Sequence, residues 1–166
     1  MLENFKTAEL FDKETYELLG DQAMKLLDIR LKMTIDSIRK KLGYPMVVND
    51  WSFSRKGSFQ KRCFRTQKST TGAKAGSHFR GMGVDFDCYK KGVMIPAERI
   101  RKLIYKHIDQ FPYIRCIETD INWVHVDVMG QEDSDRRRGI DEYNVLLWSP
   151  KSGSKVVTRH ELEANN

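Results

Sequence analysis

No stretch of this chain approaches the roughly 20 apolar residues that a membrane-spanning helix requires. The three cysteines (Cys63, Cys88 and Cys116) are odd in number and lack a C-x-x-C spacing. That argues against a disulfide framework and against a cysteine-based metal site, and it leaves reduced thiols as the default. The opening residues, MLENFKTAELFDKETYELLG, carry acids early and have no basic-then-apolar run. They do not read as a secretory signal, and synthesis in a cytoplasm is the expectation. No internal repeat is visible. What is present, 166 residues with 40% hydrophobic and 31% charged content, reads as one soluble globular domain rather than a disordered chain. The net charge of +6 favours an anionic partner such as nucleic acid, phospholipid or an acidic wall polymer. Aromatic residues are not interleaved with the basic ones in the long basic loop, which argues against nucleic acid.

Apolar periodicity marks out the elements. Leu27, Leu31, Ile35, Ile38 and Leu42 recur at spacings of four and three, predicting an amphipathic helix over 21–42. Asp21 is the expected cap at its start, and Gly43 the left-handed stop at its end. A shorter helix is expected over 7–19. Met46-Val47-Val48 suits a short buried strand, and 52–76, rich in Ser, Thr, Gly, Lys and Arg, reads as a long functional loop. Pro96 opens a second helix over 96–110. Strands are expected at 84–88, 113–118, 123–128 and 144–148. The sum is an α+β domain, helices packed on an antiparallel sheet, with N-terminal helices over 1–43, a core over 44–130 and a C-terminal segment over 131–166. Arg136-Arg137-Arg138 follows two aspartates and reads either as a solvated loop or as a binding patch.

Two segments depart from ordinary surface strands. In Val84-Asp85-Phe86-Asp87-Cys88 the apolar residues share one face and the aspartates the other. In Trp123-Val124-His125-Val126-Asp127-Val128 the valines share one face and Trp123, His125 and Asp127 the other. Side by side in one sheet, these strands bring three carboxylates and an imidazole together, an arrangement that repels itself unless a proton or cation compensates. Gly81 and Gly83 allow a tight turn that folds His78 back towards Asp85. Two histidines and a carboxylate, His78, Asp85 and His125, are an ordinary set for catalytic zinc, with the fourth position open. His107 and His160 lie among polar residues and are read as bystanders.

The run His78-x-x-Gly81-x-Gly83-x-Asp85, with Trp123-Val124-His125-Val126-Asp127 after it, resembles the signature of the D-alanyl-D-alanine peptidase family of zinc enzymes. That family includes D-alanyl-D-alanine carboxypeptidases and dipeptidases and phage L-alanyl-D-glutamate endolysins, and it shares its fold with the hedgehog signalling domain. The resemblance implies one Zn2+ per chain on His78, Asp85 and His125. It also implies hydrolysis of D-amino-acid-containing bonds in peptidoglycan stem peptides, with action on the bacterial cell wall. Val48-Asn49-Asp50-Trp51, Arg62-x-x-Arg65 and Ser69-Thr70 resemble phage-encoded members.

The departures fall at named positions. Gly76 stands where the family has a serine, with Ser77 adjacent; Gly83 replaces an alanine, and Cys63 a glycine. Asn122 occupies the usual place of the catalytic acid and cannot take a proton from water. Asp120 is therefore the first candidate base and Glu118 the second, and Asp127 is expected to orient an imidazole. Arg62 and Arg65, with Ser77, are the expected substrate contacts, since paired guanidinium N–H groups match a carboxylate. Trp51 and Trp123 either line the cleft or pack in the core. Asn122 also favours an alternative, a non-catalytic zinc-binding structural or virion protein that keeps the peptidase fold.

Overall fold

The structure is a computed structural model that describes residues 2–54, 57–70 and 76–164. Residues 55, 56 and 71–75 of the expected 52–76 loop lie outside the described residues.

The N-terminal region is more broken than its periodicity suggests. The helix expected over 7–19 is two pieces, α1 (Thr7–Leu10) and α2 (Lys13–Leu19). They separate at Asp12, whose carboxylate accepts from the Thr15 backbone N–H at 2.9 Å and caps α2. The helix expected over 21–42 is a 3-10 turn, Gly20–Leu26, followed by α3 (Ile29–Leu42). Leu27 between them is extended, and Asp28 rather than Asp21 is the cap, accepting from Arg30 N–H at 2.8 Å. Asp21 instead accepts from the Thr7 hydroxyl at 2.6 Å. The break has a use: the Asp28 N–H, freed from any helix, donates to the Gly81 carbonyl at 3.0 Å. The turn that carries His78 therefore docks into the gap between two helical segments. Gly43, at φ +65°, closes α3 as expected.

Among the described residues, seven strands make one open, mostly antiparallel sheet: β1 (Met46–Val47), β2 (Gly83–Lys90), β3 (Val93–Met94), β4 (Cys116–Glu118), β5 (Val124–Asp127), β6 (Asn144–Ser149) and β7 (Gly153–Thr158). The order is β1-β2-β5-β4-β6-β7, with β3 paired to β2. One pair departs from the antiparallel expectation, since β6 runs parallel to β4. The second helix, α4 (Ala97–Tyr105), is shorter than the expected 96–110 and gives way to a 3-10 turn at Ile108–Gln110.

One sheet face is covered and apolar. Val84, Phe86, Val124, Val126 and Ile117 pack with Leu31, Ile35 and Ile38 of α3 and Ile100 and Ile104 of α4, all essentially inaccessible to solvent. Each such side chain contributes about 1.5–3 kcal/mol by leaving water. The C-terminal segment adds more than its sequence suggested, because β7 and α5 (Arg159–Ala164) follow β6. The buried Arg159 guanidinium donates to five carbonyl oxygens, those of Glu142, Ile108, Phe111, Pro112 and Ile114, at 2.6–3.2 Å. It ties the tail to the turn before β4.

Candidate metal centre and cleft

The opposite face of the same sheet is polar and open. Register sets it in rows. Asp85 of β2 stands opposite His125 of β5, His125 opposite Glu118 of β4, and Glu118 opposite Trp148 of β6. A second row passes from Asp127 through Cys116 to Leu146. Side chains on one face of neighbouring strands lie about 5 Å apart, so each row is a line of contacts rather than a coincidence of sequence.

His78 reaches this face from a 3-10 turn, Ser77–Arg80. The turn is held by two glycines that fit it for different reasons. Gly81 sits at φ +66°, and a β-carbon there would collide with the Leu26 carbonyl oxygen. At Gly83 a β-carbon would collide with the Ser77 hydroxyl. Ser77 thus fills the space that a side chain at 83 would need.

The three expected ligands converge. One donor atom from each of His78, Asp85 and His125 lies within 4.8 Å of the others, and all three residues are buried. His78 Nδ1 donates to the Cys63 carbonyl at 2.8 Å, and its Nε2 lies 3.4 Å from Asp85 Oδ2. His125 Nδ1 donates to Asp85 Oδ1 at 2.6 Å, and its Nε2 lies 3.5 Å from Asp127 Oδ2. The donor set fits a divalent metal. Tetrahedral zinc sets its ligand atoms about 3.3–3.5 Å apart, and each imidazole already has an outer group to orient it. Nothing about the donors selects zinc over another divalent ion.

The charges are those of a site that a cation would relieve. Burial opposes ionisation of Asp85, but hydrogen bonds from His125 and His78, and their charge, hold its carboxyl well below the usual carboxylate range. Burial likewise opposes the imidazolium of His125, yet Asp127 and Asp85 outweigh it and hold the ring up at about 10. Glu118 moves the other way: burial raises its carboxyl above the ordinary value, against the pull of His125.

A cleft of about 640 Å³ opens over the cluster. Its walls carry the polar His78, Asp85, Glu118 and His125 together with the apolar Ile121, Leu146 and the two indoles of Trp123 and Trp148. Of the two candidate bases, Glu118 is in this lining and Asp120 is not. Asp120 is exposed, at φ +59°, and its carboxylate accepts from the Ser149 hydroxyl at 2.6 Å. Of the expected substrate contacts, Arg65 and Ser77 line the cleft. Arg62 does not; it pairs with Asp87 at 2.6 Å and stacks its guanidinium on the Phe59 ring. Arg65 donates to the Lys61 carbonyl and to Asp85 Oδ2, at 2.8 and 3.3 Å. Asp127 sits where an orienting group is needed, between His125 and Arg137. Trp123 is a wall residue, whereas Trp51 packs on Tyr16 and donates to the Phe11 carbonyl at 2.7 Å, away from the cleft.

Trp148 carries no distinguishing signal in the sequence, and the arginine run is compatible there with either a solvated loop or a binding patch. Arg136 and Arg137 line the cleft, and Arg137 donates to Asp127 Oδ2 at 2.8 Å. The signal was the basic run itself, which charge patterning alone does not place.

Comparison with protein-family models, with curated proteins and with solved structures finds no match to this chain.

Proposed function

We propose that this chain is a zinc-dependent peptidase of the D-alanyl-D-alanine peptidase type, hydrolysing D-amino-acid-containing bonds in the stem peptides of bacterial peptidoglycan. The observation that carries the reading is the meeting of His78, Asp85 and His125 at the floor of an open cleft, with Glu118 one strand away from His125. The H-x-x-G-x-G-x-D run and the later W-V-H-V-D strand supply the family and the substrate class.

A bound zinc ion supplies Lewis acidity, polarising a carbonyl and acidifying water. Glu118 acts as general base. Its raised pKa moves it towards the working pH, where proton transfer in both directions is efficient. It removes a proton as water oxygen bonds to the scissile carbonyl carbon, then delivers that proton to the amine nitrogen as the C–N bond breaks. Cys63 and Asp127 hold the two imidazoles in their tautomers. The net positive charge gathers the protein onto an anionic wall, an attraction that salt weakens.

A second reading rests on Asn122, which stands exposed where relatives carry the acid. In it the chain is a metal-stabilised structural or virion protein without turnover. Incubating the zinc-loaded protein with purified peptidoglycan and counting new amino termini separates the two. Release of amine that is lost in Glu118→Gln supports the peptidase. No release from a chain carrying its full zinc complement transfers the lead to the structural reading.

A further inference from the structure

Among the described residues, three arginines line the cleft, and they are not equally engaged. Arg65 is committed to Asp85 and to the Lys61 carbonyl. Arg137 gives one arm, Nη2, to Asp127 Oδ2 at 2.8 Å, with the Cys116 thiol alongside. Its other arm, Nη1, is buried and has no hydrogen-bond partner among the described residues. Arg136 is exposed beside it, and among the described residues no hydrogen bond engages its guanidinium. A charged N–H pair left unanswered in a buried position is costly, and a ligand oxygen is the natural group to answer it.

The loop that carries this pair is held in place. Arg30 of α3 donates to Glu132 at 3.0 Å and to Asp133 at 2.9 Å, and Arg80 donates to the Asp133 carbonyl at 2.8 Å. Asp133 in turn accepts from the Gly130 N–H, and Ser134 from that of Arg136. These contacts fix residues 130–136 against α3 and the His78 turn, so the guanidinium of Arg137 is positioned before any ligand arrives.

The charge balance points the same way. Among the described residues, the carboxylates in the lining, Asp85, Glu118 and Asp127, equal the guanidinium groups of Arg65, Arg136 and Arg137 in number. A divalent cation on His78, Asp85 and His125 therefore leaves the cleft cationic, with the uncommitted donors at the Asp127 end.

We propose that Arg137, supported by Arg136, is the receptor for a substrate carboxylate, so that the cleft selects peptides bearing a free carboxylate close to the bond that is cut. The available donor is thus Arg137 rather than Arg62, which is closed off by Asp87 and Phe59, or Arg65, which is held by Asp85 and the Lys61 carbonyl. Asp127 lies two residues from His125 on the same strand face, about 7 Å along the strand. A carboxylate held beside it falls within about two residues of a carbonyl placed at the metal ligands. The proposal rests on the peptidase reading for the identity of the substrate, but the anion site can be tested without turnover.

The test uses the full-length, zinc-loaded chain titrated with N-acetyl-D-alanine and, separately, with its amide, followed by nitrogen-resolved NMR of the arginine side chains. The Arg137 guanidinium signal is assigned by its loss in Arg137→Met. The expected result is that the acid shifts this signal and the amide does not. In Arg137→Met, at unchanged zinc content, the acid should then bind at least about tenfold more weakly. A preference for acid over amide that persists in Arg137→Met would place the carboxylate on the metal and overturn the proposal. So would an Arg137 signal in the parent that ignores the acid, a result that stands even if the variant fails to fold. Peptides with free and amidated ends supply the turnover arm. If the parent cuts neither, the peptidase reading fails, while the titration still decides the anion site.

Discussion

The two faces of the central sheet are built on opposite terms. Towards the helices, β2, β4 and β5 present Val84, Phe86, Ile117, Val124 and Val126, all inaccessible and all apolar. Towards the cleft, the same strands present Asp85, His125 and Asp127, nearly as buried but charged, with Glu118 half-buried beside them. The first face holds the fold, since it removes apolar surface from water. The second works against it, since burying charges costs several kcal/mol per ion unless they are paired. The pairing is there, but it is assembled from groups that a metal would use. Asp85 serves two imidazoles, and His125 is shared by two aspartates. A chain under selection for stability alone would have no reason to place this constellation at the floor of a cleft.

That contrast can be broken from either side. The largest effect is expected at Glu118→Gln, which removes the proposed proton acceptor without touching a candidate ligand. Peptide turnover should fall by about 10²–10⁴ with zinc content unchanged, whereas Asp120→Asn should leave it near the parent value. On the other face, Phe86→Ala should cost about 3–5 kcal/mol in denaturant unfolding, and the molecules that remain folded should still bind metal. Asp127→Asn should weaken zinc binding by about 10–100-fold through the loosened His125 ring, as read by competition with a chelator. The smallest signal is protonic. His125 without metal holds its proton up to about 10, so uptake of a divalent metal at neutral pH must displace it. Calorimetry in buffers of different ionisation heat should show about one proton released per metal, with affinity falling as pH falls.

The apolar face was legible because a period of two is written directly into Val84-Asp85-Phe86 and Val124-His125-Val126. The three candidate ligands were legible for the same reason, since alternation places Asp85 and His125 on one side. Their contact, and that of His78, depends on β2 pairing β5 in a register that only the fold supplies. The ends of helices were less legible. The apolar stripe runs through Leu27, yet Asp28 stops the helix there because the Gly81 turn competes for its backbone. The choice between Glu118 and Asp120 could not be made from spacing, because it depends on which carboxylate faces the cleft. Glu118 falls in register with His125, while Asp120 turns away on a left-handed backbone to hold Ser149. Arg137 is the furthest from sequence reach. Its meeting with Asp127 depends on the route of the loop between β5 and β6 and on the clamp from Arg30. The tail was hidden in the same way, since nothing in a polar stretch marks Arg159 as the donor to five carbonyls.

The most direct measurement is metal content per chain of untagged, purified protein, with His125→Ala purified alongside. About one zinc in the parent and almost none in the variant is the expected result for a site made of two histidines and one aspartate. A parent that stays metal-free after zinc is supplied, or a variant that holds as much as the parent, would contradict the metal centre and with it the peptidase.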